Sequence, residues 1–444
     1  MKIAMLLLVV AGQSSQPDTL RLSMEEAVSR ALYANPTLQA QEAKAEARAQ
    51  LPLQASPAFL PSVSMGLQGM KTTDPVGVFG LKLRQENFAA EDLSLDALNR
   101  PDAYSGYNAT ATIQMPILAP EGIYGFRAAR KAAEAGKAGA RRAAGATRFF
   151  TIQAYTGALL AARQVAALDV ALAAVQGHVE QAEAMREQGL VTGLDARMAG
   201  LKASELEVHR LRAHAQAENA LSALKAILDL PDEVELVLSD DLTALTMTSA
   251  CAAGEAKGDP SCSWEERGDL QAYNAGAEAA ADGVKMAFAA QLPALAAFGS
   301  VGHYAKDAPF GKGSGDWTVG IGLSWTPFNG LSGVGSVRAA RAEEAAVKAE
   351  RAAAFRQAEV EVLQALRLLD AADEGAEVAS RASGEAQIAL EQARARYTSG
   401  TAPITELLDV QAASTNATLS ELAARRDLVL AHAALDLAYG VFDR

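Results

Sequence analysis

The 444-residue chain is written twice. Asn35-Pro36-Thr37-Leu38 has a counterpart in Arg267-Gly268-Asp269-Leu270, and Leu60-Pro61 in Leu292-Pro293, both 232 residues later. Farther on, the separation is 211. Met115-Pro116 answers to Thr326-Pro327, Arg127-Ala128-Ala129-Arg130 to Arg338-Ala339-Ala340-Arg341, and Glu180-Gln181-Ala182 to Glu391-Gln392-Ala393. Gly189 answers to Gly400 and Leu224 to Leu435 at the same offset. The offset changes once, between Pro61 and Pro116, so the first copy carries 21 additional residues there. A repeat of this length constrains the fold more than any local propensity, because each copy must form the same kind of unit.

Each copy reads helix, strands, long helices. Ser23 with Glu26 three residues later is a capping box, followed by Ala27, Ala31 and Leu32 at helical spacing. The second copy offers Ser263 and Glu266 at the same distance. From Tyr107 to Met115 the chain alternates strictly. Trp317, Val319, Ile321, Leu323 and Trp325 alternate with Thr318, Gly320, Gly322 and Ser324. Period-2 segments of about ten residues suit a transmembrane barrel strand, with the first set facing lipid. The two tryptophans would lie at the membrane interfaces. A half-buried hairpin in a soluble sandwich is the competing reading. The partner strands, Ser62 to Met70 and Ala294 to Tyr304, are weaker. Pro116 and Pro327 are expected to end strands, since proline cannot donate to a ladder.

Proline-free stretches rich in Ala, Glu, Arg and Leu follow, from about Gly125 to Gln188 and from about Val334 to Ser399. About 60 residues of helix make a rod of ~90 Å. Each rod stops at a glycine, Gly189 or Gly400. Thr192 or Asp195 can cap the first returning helix, and Pro403 fits the first turn of the second. Two such helices joined by a tight turn form a coiled-coil hairpin.

Composition narrows the function. Half the residues are hydrophobic but only 5% are aromatic, so the core is built from small side chains. A net charge of −13 excludes a general nucleic-acid binder. Lys2, the apolar run Ile3 to Ala11 and the small residues after it read as a secretory signal over residues 1–16. Beyond it no apolar run approaches membrane-helix length, so membrane insertion would require a barrel or a surface helix. Cys251 and Cys262 could form one disulfide in an exported protein, or remain two free thiols. No catalytic constellation, metal-ligand spacing or cofactor motif is legible. The five histidines are scattered, Gly311 to Gly315 lacks the phosphate-loop context, and the acids of Glu86 to Asp102 read as a solvated loop.

Four transmembrane strands would leave two open edges, which lipid does not tolerate. The barrel must therefore be shared among copies, with 8, 12 or 16 strands for a dimer, trimer or tetramer. Strand physics alone does not choose among them.

The order of elements resembles the TolC-like outer-membrane efflux family over nearly all of the chain after the signal. Ser23-Met24-Glu25-Glu26-Ala27-Val28 through Asn35-Pro36 is similar to its first helix. Trp325-Thr326-Pro327-Phe328-Asn329-Gly330 is similar to its strand-to-helix junction. Tyr397-Thr398-Ser399-Gly400 with Thr405-Glu406-Leu407-Leu408-Asp409, and Gly189-Leu190-Val191 with Asp195, resemble its periplasmic turns. Asp74-Pro75-Val76 to Asp102 resembles an extended external loop of some members. The resemblance implies a homotrimer in the bacterial outer membrane, with a 12-stranded barrel on a 12-helix periplasmic tube. It would receive substrate from an inner-membrane transporter through a periplasmic adaptor. Gly189, Leu190, Gly400 and Thr401 would be the adaptor-contact tips, and Glu391 matches a gate acid. Ala379 and Gly384 stand where some members carry gate-forming tyrosine and arginine. A soluble periplasmic coiled-coil adaptor or binding protein is the alternative.

The expected organisation is an N-terminal helix at 17–60, a first strand pair with long loop at 61–116 and a helical hairpin at 117–230. A linker at 231–266 precedes an opening helix at 267–291, a strand pair at 292–327, a hairpin at 328–440 and a tail at 441–444.

Overall fold

The computed structural model describes residues 19–189, 191–249, 251 and 262–444. The expected signal segment and the tip residue Leu190 lie outside them. In chain order the elements are β1 (Thr19–Leu22), α1 (Met24–Ala34), α2 (Pro36–Ala49), α3 (Leu51–Gln54), β2 (Ser62–Thr72), α4 (Pro75–Arg84), α5 (Leu95–Asn99), β3 (Tyr104–Leu118), α6 (Pro120–Glu187) and α7 (Gly193–Ile227). There follow β4 (Glu235–Leu238), α8 (Gly268–Ala289), β5 (Ala294–Ala305), β6 (Gly313–Ser324), α9 (Ser332–Thr398) and α10 (Ile404–Tyr439). The rods are 68 and 67 residues long and the return helices 35 and 36. The duplication thus holds at the level of element lengths.

The chain divides into two compact units. The sheet unit comprises Ala45–Lys137 and Ala272–Ala352. Its four strands run in the order β2-β3-β5-β6, with every neighbouring pair antiparallel. The two copies therefore join through β3 and β5, and β2 and β6 are the free edges.

Pro116 does not end its strand. β3 continues to Leu118 past a register shift between Pro116 and Leu118. The β2 ladder has already stopped at Gln114, so Pro116 has a single neighbouring strand and no second ladder to donate to, one of the few places a sheet accepts proline. β6 likewise ends at Ser324, three residues short of Pro327.

The helical unit comprises the segment up to Lys44, Ala138–Gln271 and Ala353–Arg444. Ser23 and Glu26 form the expected capping box on α1. The second copy departs from it. Ser263 makes no capping bond, residues Trp264–Glu266 form one 3-10 turn, and the helix begins only at Gly268. The repeat explains this. Gly268 is the counterpart of Pro36, where α2 begins after a break at Asn35, so α8 opens at the position equivalent to the start of α2.

The linker also holds a strand that the sequence reading lacked. β4 pairs in parallel with β1, Thr19 opposite Glu235 through Leu22 opposite Leu238. Their apolar side chains enter a core of Leu22, Ala27, Ala31, Tyr155, Leu159, Leu224, Leu228, Leu236 and Leu242. At its centre the fully buried Tyr155 hydroxyl donates to the Leu22 carbonyl at 3.0 Å, which satisfies a polar group that would otherwise be costly to bury. Burial pushes the Tyr155 phenol well above its ordinary pKa. Cys251 and Cys262 are joined by a disulfide.

One expectation about hydropathy is corrected. By length and composition α6 is apolar enough to cross a membrane. Its alanine content produces this, and the helix spends apolar surface on packing. Leu159, Leu168, Ala171 and Val175 are buried, and Arg163 pairs with Asp241 at 3.0 Å.

Candidate channel wall, tips and gate

The sheet has two chemically different faces. Residues paired across neighbouring strands lie on the same face, so register assigns each side chain. Met65, Ala111, Val301 and Trp317 form one rung, and Val63, Ile113, Gly299 and Val319 the next. Ile321 is opposite Ala297 and Leu323 opposite Leu295 on that same face. Trp317, Val319, Ile321 and Leu323 are each 66–74% exposed, and Met65 is 84% exposed. Apolar side chains so placed in water would be a large aggregation-prone patch. Trp325 lies one residue beyond β6, and its indole donates to the Gln291 carbonyl at 3.1 Å.

The opposite face carries Ser64, Thr112, Ser300 and Thr318 on one rung and Gln68, Asn108, Tyr304 and Ser314 on another. It is polar and nearly free of charge. A sheet apolar on one side and hydroxyl-rich on the other matches a barrel wall between lipid and an aqueous lumen.

The helix turns are built alike. Gly189 and Gly400 both adopt φ +73°, a conformation that side chains with a Cβ rarely take. The Gly189 amide donates to the Arg186 carbonyl at 2.9 Å, and the Gly400 amide to that of Tyr397 at 3.0 Å. At the first return both caps proposed for it act together: the Thr192 side chain accepts from the Asp195 amide, and Asp195 accepts from Thr192. At the second return Pro403 is the extended residue before the helix rather than part of its first turn. Gly400 and Thr401 are exposed, as is Gly189. Beneath the tips Val175, Ala182, Ala196, Ala199, Ala393, Tyr397, Ile404 and Leu407 form one core, so the ends of the two hairpins are packed together.

Glu391 is exposed on α9. It lines a shallow groove with Arg394, Ala395, Thr398 and Ser399, and stands about two and a half helical turns short of the Gly400 tip. Nearby His178 is buried, and burial together with Arg394 holds its pKa below the usual imidazole value. Among the described residues no cluster of three or more His, Cys, Asp or Glu is placed to hold a metal.

Sequence reasoning passed over α4. Its signal was present: Asp74 precedes Pro75, an N-cap residue followed by proline at the first helical position. The Asp74 carboxylate accepts the Gly77 amide at 2.7 Å.

Residues 261–441 match the family model described as outer membrane efflux protein. That match covers the second copy and less than half of the chain. Channels of the family are trimeric and work with periplasmic adaptors and inner-membrane pumps.

No curated protein matches the chain, but solved structures share its fold. A membrane protein from Pseudomonas aeruginosa superposes with a TM-score of 0.80 at 21% identity, over 94% of this chain and 90% of that one. The outer membrane protein VceC from Vibrio cholerae gives 0.77 at 19% identity, over 94% and 96%. The MtrE outer membrane channel of Neisseria gonorrhoeae, in its open state, gives 0.77 at 19%, over 94% and 88%.

Proposed function

We propose that three copies of the chain close one 12-stranded barrel from their sheets and one 12-helix tube from their hairpins, forming an exit duct across the outer membrane. The single observation that carries this reading is the sheet with one apolar exposed face, one polar face and two free edges. β2 and β6 are antiparallel to each other within the chain, because three antiparallel pairings separate them. A β6 edge can therefore meet the β2 edge of the next copy in an all-antiparallel ring. An eight-stranded dimer would fill its interior with side chains, whereas twelve strands leave a lumen.

The helices support association as well. Leu194, Leu201 and Val208 on α7 recur every seven residues and are half or more exposed, or nearly so. Such a heptad stripe suits packing against a helix of another copy. In this reading a periplasmic adaptor grips the tips at Gly189, Leu190, Gly400 and Thr401. It delivers substrate from an inner-membrane transporter, and Glu391 contributes charge to the gate just inside them.

Native mass spectrometry of the detergent-extracted protein, with fractionation of the producing cells, tests the proposal. Trimers from the outer-membrane fraction are expected. Monomer in the soluble periplasm would overturn it.

A further inference from the structure

The additional residues of the first copy fold onto the polar face of the sheet. Gln85, just past the end of α4, accepts from the Tyr104 hydroxyl at 2.9 Å and donates to the Ala305 carbonyl at 3.3 Å. The Ser314 hydroxyl donates to the Arg84 carbonyl. The Arg84 guanidinium lies 5.3 Å above the Tyr304 ring. Leu81 and Gln85 close over Gly106, where an added Cβ would strike both. Tyr104, Gly106, Tyr304 and Ser314 all share the face of Asn108 and Thr110, by unbroken register. None lies on the face of Trp317 and Ile321.

The segment is held firmly. Gln85, Val78 and Leu81 are buried. Phe79 stacks edge-on against Phe88 at 4.9 Å, and Lys82 pairs with Asp92 at 2.6 Å.

We infer that α4 and its Gln85 anchor form a resident constriction inside the outer mouth of the duct, restricting passage to small solutes rather than folded polypeptides. The inference rests on the barrel reading above, in which the polar face lines the lumen. Twelve strands spaced ~4.8 Å apart and tilted ~40° enclose a barrel roughly 24 Å across between backbones. A helix with its side chains is about 10 Å across. Three copies of α4 against the wall therefore occupy most of that opening. The second copy has only a short turn at the matching place, between β5 and β6, so the narrowing comes from the first copy.

Thiol labelling in intact cells tests this on a clean background, because Cys251 and Cys262 are bonded and no described cysteine is free. Thr112→Cys places a thiol on the polar face below α4, and Val319→Cys places one on the apolar face. Each is treated from outside with a small charged maleimide and with maleimides bearing polyethylene glycol chains of increasing length. With α4 intact, long reagents are expected to label Thr112→Cys at least roughly tenfold more slowly than the small one, as pore diameter dictates. Replacing residues 75–84 by a glycine-serine linker should abolish that size dependence. Should that variant fail to assemble, R84A/Q85A, which loosens the anchor, serves instead. Complete protection relieved by either change also supports the constriction. Equal labelling by long and short reagents with α4 intact would overturn it, as would a size limit or protection that persists once α4 is replaced or loosened. Labelling of Val319→Cys by the charged reagent, with Thr112→Cys protected, would instead overturn the barrel reading itself.

Discussion

The Asp443 carboxylate accepts the backbone amide of Gly268 at 2.8 Å, so a residue beyond the last long helix caps the helix that opens the second copy. In the first copy the equivalent cap is local: Asn35 accepts from the Leu38 amide at 3.0 Å. Arg267 stands in the place of Asn35 and has donors only. It turns instead to Asp269 at 2.7 Å and Glu361 at 2.8 Å. Asp443→Ala should therefore destabilise the protein by about 1–2 kcal/mol, the usual worth of a lost cap. Denaturant unfolding of the purified protein measures it.

The pH dependence of stability should carry a mark of Asp436. This carboxylate accepts from the Ser249 hydroxyl, beside His432, whose Nδ1 accepts the Ser249 amide at 3.2 Å. Burial pushes the Asp436 carboxyl above the usual carboxylate range, against the pull of Ser249, His432 and Arg148. Burial also holds His432 below the usual imidazole value, opposed by Asp436 and Asp373. The signs are opposite. Protonated Asp436 contributes stability that is full below its unfolded pKa and is lost as pH rises through the elevated folded one. Neutral His432 contributes stability that is full above its unfolded pKa and is lost as pH falls through the depressed folded one. Asp436→Asn keeps the acceptor and removes the charge. Its melting temperature should lose the decline on the alkaline side of the carboxylate range and keep the His432 loss in acid. Thermal melts across this range would show it.

A charge on the apolar face should block assembly. Ile321→Lys or Leu323→Lys places a cation toward lipid at a cost of about 2–4 kcal/mol near the bilayer midplane. Thr318→Lys, on the polar face of the same strand, should be tolerated. Recovery of trimer from the outer membrane separates the two outcomes, and equal recovery would reverse the assignment of faces.

The tips should be sensitive in a different way. Valine at Gly189 or Gly400 must adopt a left-handed conformation that costs roughly 1–2 kcal/mol. Trimer and barrel should survive, because both glycines belong to the helical unit and neither is in the sheet unit. Export, and crosslinking to the adaptor, should fall in the double variant.

The disulfide closes a short loop, its cysteines 11 residues apart, for which chain entropy suggests about 3 kcal/mol. Cys251→Ser with Cys262→Ser should lower the melting temperature by that measure. The same loss should appear when the unmodified protein is reduced.

Much of this structure is legible in the sequence wherever a pattern is long. Trp317 to Leu323 alternates over a whole strand, and Gly189 and Gly400 punctuate uninterrupted helical text. What stayed hidden was short or distant. β1 and β4 have four residues each and lie more than two hundred residues apart, too little for a period to emerge. Ser263 and Glu266 carry the letters of a capping box, but Trp264–Glu266 form a single 3-10 turn and α8 begins only at Gly268. The tertiary placement of α4 leaves no trace in local pattern, since a loop that folds inward and one that stands in solvent can share a composition. The role proposed for Glu391 would depend on neighbours from other copies, which local pattern does not encode.

The strand order β2-β3-β5-β6 has a kinetic corollary. In the proposed ring each chain supplies three pairings from within and would borrow the fourth from a neighbour. Three-quarters of the ladder can form as each chain folds, at a rate indifferent to how many chains are present. The remaining quarter awaits collisions, so closure of the wall should slow as the protein is diluted, even though folding of the individual sheets does not.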